Sequence, residues 1–144
     1  MTKKYELVLD DTISFWGWKL FRIRALISFG SVEVGDLGGY IQKEENLSHD
    51  DNAWVWGNAK VSGDAEVWGN AKVSELGDII VFKNHWSSGR HFTYTKSNKM
   101  WKVGCFYGTG QELIKKAYRD SEKSGNYYKA YVDFVETLER LSEE

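Results

Sequence analysis

The chain has 144 residues, with 19 Lys and Arg against 21 Asp and Glu, three His, one Cys and no Pro. This length is typical of one domain, and the single Cys105 excludes an intramolecular disulfide framework and a cysteine-cluster metal site, which indicates a reducing compartment. Because no apolar run approaches the ~20 residues of a membrane span and the start has no apolar signal stretch, we expect a cytoplasmic protein without membrane contact.

The first predicted elements are two strands. Residues 19–27 alternate between apolar and polar side chains, which places Arg22 and Arg24 together on the polar face. Residues 6–9 form a shorter candidate that could pair with them. We expect this strand pair to cover the start of the segment that follows.

A six-residue repeat comes next. Four blocks follow the pattern Asn/Asp-Ala-x-Val-Trp/Ser-Gly, with Glu75 in place of the last Gly, and they begin at Asn52, Asn58, Asp64 and Asn70. A buried Val, a small Ala and a corner Gly at this period are typical of a hexapeptide β-helix.

The array extends over residues 41–79, here called the repeat segment, which amounts to about two triangular coils. A solenoid needs about three repeats or more to stand alone. We therefore expect the repeat segment to be capped or to form a homo-oligomer.

Three tryptophans occupy the variable positions of the repeat, which point outward in a β-helix: Trp54, Trp56 and Trp68. Exposed tryptophans mark contact surfaces. We predict that these three contact another subunit or a protein partner, with ligand stacking as the weaker alternative.

The sequence after the repeat alternates between strand-like runs and short polar connectors. The runs at 79–83, 91–95 and 101–107 predict an antiparallel meander.

Two helices follow the meander. The first is predicted to open at Thr109, whose hydroxyl can form a capping box with Glu112. We predict a break at residues 124–126 and a second helix over residues 127–141, whose apolar stripe is typical of a core or a dimer contact.

Several of these motifs carry a resemblance. Residues 35–41 (Gly-Asp-Leu-Gly-Gly-Tyr-Ile), residues 46–48 (Asn-Leu-Ser) and the Asn-Ala-x-Val-x-Gly blocks resemble a family of small phage and prophage proteins with a short hexapeptide-type β-helix. Residues 101–109 are similar to the C-terminal module of that family. Some compact phage proteins of this kind are thought to sequester nucleotide immune signals, as in inhibition of Thoeris, so the resemblance implies a counter-defence role.

Charge is segregated along the chain. Residues 79–111 contain five Lys or Arg and no acid, and residues 12–32 contain three and no acid. The first of these blocks also holds seven aromatic residues: Phe82, Trp86, Phe92, Tyr94, Trp101, Phe106 and Tyr107. Cations interleaved with flat aromatic faces fit a ligand that is both anionic and planar, such as a nucleotide.

We predict that the two acid-free blocks converge on one concavity that binds such a ligand. Its residues would bind phosphate through cations, stack on the ring, or offer backbone amides at a helix start: Arg22, Arg24, Trp86, Arg90, His91, Lys99, Trp101, Lys102, Gly108, Thr109 and Gly110. The alternative is a solvated basic face over an aromatic core, because alternation would bury Phe92 and Tyr94 together.

Enzymatic alternatives have less support. The tripeptides at 85–87 and 91–93 resemble the His-x-Ser/Thr pairs of two-histidine phosphoesterases, but those pairs come from distant halves of a chain. A hexapeptide acyltransferase would use more coils, and His49 alone is not enough to predict an acyltransferase site. No spacing predicts a metal site, and we expect neither catalysis nor a cofactor.

Together these observations predict an α+β, mainly β protein. An N-terminal strand pair (1–40) and a meander with two helices (80–144) would flank a short hexapeptide-type β-helix of about two coils (41–79). The predicted function is capture of a small nucleotide-like anionic ligand between chains of a homo-oligomer. The alternatives are a protein contact through the tryptophan-bearing faces and a phosphoesterase; long nucleic acid is disfavoured by the net charge of −2.

Overall fold

A computed structural model describes residues 3–143. Its strands are β1 (Tyr5–Phe15), β2 (Trp18–Ala25), β3 (Leu37–Ile41), β4 (Trp54–Val55), β5 (Lys60–Val61), β6 (Lys72–Val73), β7 (Ile79–Lys83), β8 (His91–Thr95), β9 (Met100–Val103) and β10 (Phe106–Thr109). Two α-helices follow, α1 (Gly110–Asp120) and α2 (Glu122–Ser142). The predicted class, α+β and mainly strands, is confirmed. Within residues 3–143 no helix has the length and apolar character that crossing a membrane requires.

The N-terminal strand pair is confirmed, with β1 longer than the predicted 6–9 and β2 ending two residues before the predicted 27. β1 and β2 form an antiparallel hairpin whose turn residues, Trp16 and Gly17, have φ of 52° and 85°. Two successive positive φ angles suit the twist of a two-residue hairpin turn. β2 pairs antiparallel with β3, and β3 in turn pairs parallel with β5 of the repeat segment.

Parallel contacts connect the first half of the repeat segment to its second half. They join residues 18 or 20 positions apart: Ile41 with Val61, Leu47 with Val67, and Val55 with Val73. All six side chains are buried in one core. The corner glycines have positive φ angles, as the repeat predicts: Gly57, Gly63 and Gly69.

Two adjacent glycines of β3 permit its close approach to the repeat segment. A Cβ on Gly38 would lie 2.6 Å from the carbonyl oxygen of Val55, and one on Gly39 would lie 2.5 Å from that of Ala59. No larger residue fits there without moving backbone.

The tryptophans of the repeat are packed within the chain, so the prediction that they form an outward contact surface is wrong for Trp54. This side chain is 1% exposed and meets the ring edges of Tyr5 and Phe29. The cause is the N-terminal segment, which covers this part of the repeat. Trp56 is half-buried against the same core, and Trp68 is half-buried beneath the Lys102 ammonium.

The predicted antiparallel meander is confirmed as a four-stranded sheet in the order β10-β9-β8-β7. The run predicted at 101–107 is two strands, because Gly104 turns the chain at a φ of 55°.

The capping box of α1 is confirmed. The Thr109 hydroxyl accepts from the Glu112 N–H, and the Glu112 carboxylate accepts from the Thr109 N–H. The predicted break at 124–126 is wrong, because α1 ends before Ser121, whose hydroxyl caps α2. Gly125 lies inside α2, where it is buried against the Tyr118 ring.

The meander sheet lies between the two helices and the repeat segment. Phe92 and Tyr94 join a second core with α1 and α2. On the opposite face, Thr93 accepts the backbone N–H of Glu66, and the Tyr107 hydroxyl donates to the carbonyl of Trp68. This sandwich decides which of the predicted site residues reach solvent.

Candidate functional site in a cleft at the start of the first helix

The two acid-free blocks do not share a concavity, so that prediction is wrong. Arg22 lies on the N-terminal sheet, where it binds the Asp11 carboxylate at 2.8 Å and the Tyr40 hydroxyl at 2.6 Å. Arg24 pairs with Glu6 at 3.1 Å. Among residues 3–143, no hydrogen bond or ion pair joins the first block to the second, because each arginine is bound within its own sheet and the adjoining repeat.

The half-buried Trp86 ring packs on aromatic side chains of α2, which counts against its predicted stacking role. Its indole stacks on Tyr127 with ring centroids 4.6 Å apart and on Tyr131 at 5.8 Å. The Tyr128 ring is nearly perpendicular to the indole, with ring centroids 4.9 Å apart. The loop that carries Trp86 therefore anchors α2 to the meander.

Lys102 is not available to bind a ligand either, because its side chain is buried and its ammonium is bound within the chain. It is 7% exposed, its ammonium donates to the Gly104 carbonyl, and it lies 4.6 Å from the ring centroid of Trp68. Gly108 is buried in β10 under the Phe106 ring and does not line the cleft described below. Both residues stabilise the meander.

Arg90 and His91 lie together, in a hollow of mixed charge between the meander and the repeat segment. Asp64 accepts from Lys43 at 3.3 Å and lies 2.8 Å from the His91 Nδ1. These two bonds hold the pKa of the Asp64 carboxyl below its usual value. Two further carboxylates line the hollow, from Glu45 and Glu66, so it does not favour an anion.

The four remaining predicted residues do come together. Lys99, Trp101, Thr109 and Gly110 line a cleft of about 490 Å³, here called the α1 cleft, between the β8–β9 turn, the start of α1 and one face of α2. The residues that complete its lining are Tyr94, Asn98, Gln111, Val132, Val135, Glu136, Glu139 and Arg140.

Trp101 contributes a donor instead of a stacking face. The side chain is 2% exposed, so its ring is sealed in the second core and the predicted stacking is wrong. Its Nε1 lies 3.3 Å from where a Cβ on Gly110 would be, at the start of α1. Trp101 lines the cleft, and its Nε1 is not among the sealed, unpaired polar atoms of residues 3–143, where that condition is found at Trp56 Nε1. At the cleft wall this N–H can donate either to water or to an acceptor brought by a ligand.

The start of α1 adds backbone donors. Because the capping box uses the N–H groups of Thr109 and Glu112, those of Gly110 and Gln111 have no acceptor within the helix. Amides at a helix start favour an anion, since they coincide with the positive end of the helix dipole. Both residues line the α1 cleft.

Charged groups of both signs lie at the rim. Lys99 is exposed and 3.7 Å from the Glu139 carboxylate, which also accepts a hydrogen bond from the Tyr94 hydroxyl. Burial, together with this bond, raises the pKa of Tyr94, so the hydroxyl stays protonated. Glu136 and Arg140 complete the rim.

The residues of the enzymatic alternatives have structural partners. The Thr93 hydroxyl is buried and bound to the repeat segment, so it cannot hold a phosphate. His49 is stacked under Tyr5 at 4.0 Å and bound to Glu44 at 2.9 Å. No group of three metal-ligating side chains occurs in the described part of the chain.

Sequence reasoning missed the contribution of α2 to the site. Val132, Glu136 and Arg140 recur at intervals of four and lie on one side of the helix. The apolar stripe of this helix predicts only a core or dimer contact. The paired signs of Glu136 and Arg140 next to that stripe are the signal that marks a face bordering a cleft.

No family model matches this chain, and no curated protein matches it.

Proposed function

We propose that the protein captures a small phosphate-bearing ligand with a planar ring, without catalysis, in the α1 cleft. The observation that carries the proposal is the α1 cleft of about 490 Å³, in which the Trp101 indole N–H lies next to the backbone amides at the α1 start. A cleft of a few hundred Å³ with an apolar floor and a few convergent polar groups is the usual form of a small-molecule site.

The parts of a nucleotide match the parts of the cleft. Phosphate oxygens would accept from the Trp101 N–H, the amides of Gly110 and Gln111, and the Lys99 ammonium. The ring would lie on the apolar side chains of Val132 and Val135. Ribose hydroxyls would donate to the rim carboxylates, as they do to acidic residues in dinucleotide sites. Inorganic phosphate alone would leave those carboxylates unused.

The wider role proposed follows from the phage resemblance. A phage protein that binds a nucleotide without cleaving it would remove an immune signal from the host cytoplasm, in the manner of an inhibitor of Thoeris. A homo-oligomer would multiply the number of sites per particle. The same resemblance leads us to propose that the repeat segment is a two-coil hexapeptide β-helix, which its parallel pairs support.

The test is capture from a bacterial nucleotide extract, followed by release and mass spectrometry. We expect the wild-type protein to retain an intact nucleotide, and Lys99→Gln to reduce retention about tenfold, the effect of one charge-assisted hydrogen bond. The matched control is Lys96→Gln, which removes an exposed lysine that does not line the cleft. Retention should also fall as salt is raised.

Two results would contradict the proposal. The first is that the wild-type protein retains no nucleotide from the extract, which would contradict ligand capture. Release of a cleaved product would replace capture with the phosphoesterase alternative.

A further inference from the structure

The tip of the β1–β2 hairpin carries the most exposed aromatic side chain of the described residues. Trp16 is 85% exposed, and across a shallow groove of about 380 Å³ Leu76 is 82% exposed. The groove, here called the hairpin groove, is lined by Phe15, Trp16, Asn58, Ala59, Lys60, Ser74, Glu75 and Leu76. An exposed indole beside a groove is the usual form of an anchor at an interface.

An open strand edge runs along the same groove. β5 is the last strand of its sheet, and it turns the carbonyls of Ala59 and Val61 toward β3, where they accept from Tyr40 and Gln42. By alternation, the N–H and C=O of Lys60 face away from β3. Because β5 has only two residues, these groups of Lys60 are the part of the edge that a partner strand can pair with.

The charges at the rim are self-complementary. Lys60 and Glu75 both line the hairpin groove, and neither forms an ion pair with any residue between 3 and 143. One unpaired charge of each sign suits a copy of the same surface, where each lysine meets the other chain's glutamate. A partner of uniform charge would leave one of the two opposed by a like charge.

We propose that the hairpin groove is a twofold interface with a second copy of this chain. The Trp16 indole of each chain enters the groove of the other beside Leu76, and Lys60 pairs with the partner chain's Glu75. A twofold axis sets the two β5 edges antiparallel, so the Lys60 backbone groups gain partners and the two sheets become continuous. The proposal does not depend on ligand binding in the α1 cleft.

The test is the mass of the full chain in solution, measured by sedimentation or light scattering. We expect the wild-type assembly to have the mass of a dimer, or of a larger assembly with an even number of chains. Trp16→Asn should halve this mass. Asn is chosen because it tolerates the positive φ of the turn. Leu76→Ser should act in the same direction, whereas Leu141→Ser, a 57% exposed leucine on α2, should leave the mass unchanged.

Charge exchange tests the pairing itself. Lys60→Glu and Glu75→Lys alone should each weaken dimerisation about fivefold or more, and the double exchange should restore it. A monomeric wild type, or an assembly that Trp16→Asn leaves intact, would overturn the interface. Failure of the double exchange to rescue would overturn the Lys60–Glu75 pairing and the twofold arrangement that requires it. An unchanged mass for Lys99→Gln would separate this result from ligand binding.

Discussion

Lys4 shows how a single buried charge is accommodated beneath the N-terminal strands. Its side chain is 1% exposed, and its ammonium donates to the carbonyls of Asp51 and Ala53 at 2.7 Å each. The ammonium also lies 4.7 Å from the centroid of the Phe29 ring. Burial lowers the pKa of Lys4 to about 8, although Asp51 and Asp50 act in the opposite direction.

This pKa predicts a pH dependence of stability. In the unfolded chain Lys4 titrates near 10.5, so between pH 8 and 10.5 the unfolded state binds more protons than the folded one. The free energy of unfolding should therefore rise with pH over this window, by about 2 kcal/mol between pH 8 and 10 relative to Lys4→Met. Chemical denaturation of both proteins across this range measures the difference.

The comparison with Lys4→Met is necessary because Tyr5 titrates nearby with the opposite sign. Burial and Glu44 raise the pKa of Tyr5, so its contribution to stability is lost above pH 10 in both proteins. Lys19→Met, at an exposed position, is the matched control and should show the wild-type slope. A constant difference between wild type and Lys4→Met from pH 7 to 10 would contradict the account.

At the scale of single residues, the property that the sequence predicted least well is whether a side chain is exposed or buried. Trp54 and Trp101 occupy positions whose pattern permits either an outward or an inward side chain. Which one holds depends on the segment that covers them: β1 and the residues before β3 for Trp54, and α1 and α2 for Trp101. Local periodicity does not contain that information, since the covering residues are distant along the chain.

At the scale of elements, the start of α2 contains a glycine that its packing requires. A Cβ on Gly125 would overlap the Tyr118 ring at its inner carbon atoms, and the Tyr118 hydroxyl is bound to Asn126. Ala is the better helix former by about 1 kcal/mol. Propensity and packing therefore make opposite predictions for Gly125→Ala.

We expect packing to dominate. Gly125→Ala should lower the free energy of unfolding by about 1–3 kcal/mol, the usual cost of overpacking, as measured by chemical denaturation. Gly77→Ala is the matched control, because nothing lies within 4 Å of a Cβ there, and it should change stability little. Equal or greater stability of Gly125→Ala would show that α1 and α2 do not pack in this way.

Helix boundaries illustrate what short-range signals can predict. Thr109 and Glu112 specify the start of α1 locally through the capping box, and that start was correct. The glycine signal at 124–126 does not mark the break, because Ser121 caps α2 three residues earlier and Gly125 lies inside α2 against the Tyr118 ring. A glycine signals a helix end only when no neighbouring helix requires the space.

At the scale of the whole molecule, the repeat segment and the meander are joined by a partly buried hydrogen bond. The Thr93 hydroxyl, 1% exposed, accepts from the Glu66 N–H at 3.0 Å. Thr93→Val keeps the shape but leaves that N–H unpaired, which costs about 1–3 kcal/mol. We expect Thr93→Val to unfold in one cooperative transition at a lower denaturant concentration than the wild type. Amide exchange at Glu66 should be faster in the variant.

The control for this contact is Thr137→Val, which changes an exposed hydroxyl on α2. It should change the free energy of unfolding by no more than a few tenths of a kcal/mol and leave amide exchange at Glu66 unchanged. Two separate transitions in Thr93→Val, or unchanged exchange at Glu66, would show that the two parts of the molecule are not coupled through this bond.

The global arrangement also explains which part of the candidate site was predictable. Lys99, Trp101, Thr109 and Gly110 are close in sequence, and β9, β10 and the start of α1 bring them together through local hairpin geometry. Arg22 and Arg24 are distant in sequence, and their acid-free surroundings gave no information on tertiary position. Their acidic partners, Asp11 and Glu6, come from the paired strand β1, before the acid-free residues 12–32 begin.

The most direct test of ligand capture in the α1 cleft is the Trp101 indole N–H signal in a ¹H–¹⁵N correlation spectrum, assigned with Trp101→Phe. The nucleotide fraction retained from a bacterial extract is added to the labelled wild-type protein. We predict that the Trp101 signal moves downfield as its N–H gains a phosphate acceptor, while the Trp16 signal stays in place. Retention of a nucleotide with no change at Trp101, and equal retention by Trp101→Phe, would contradict binding in this cleft.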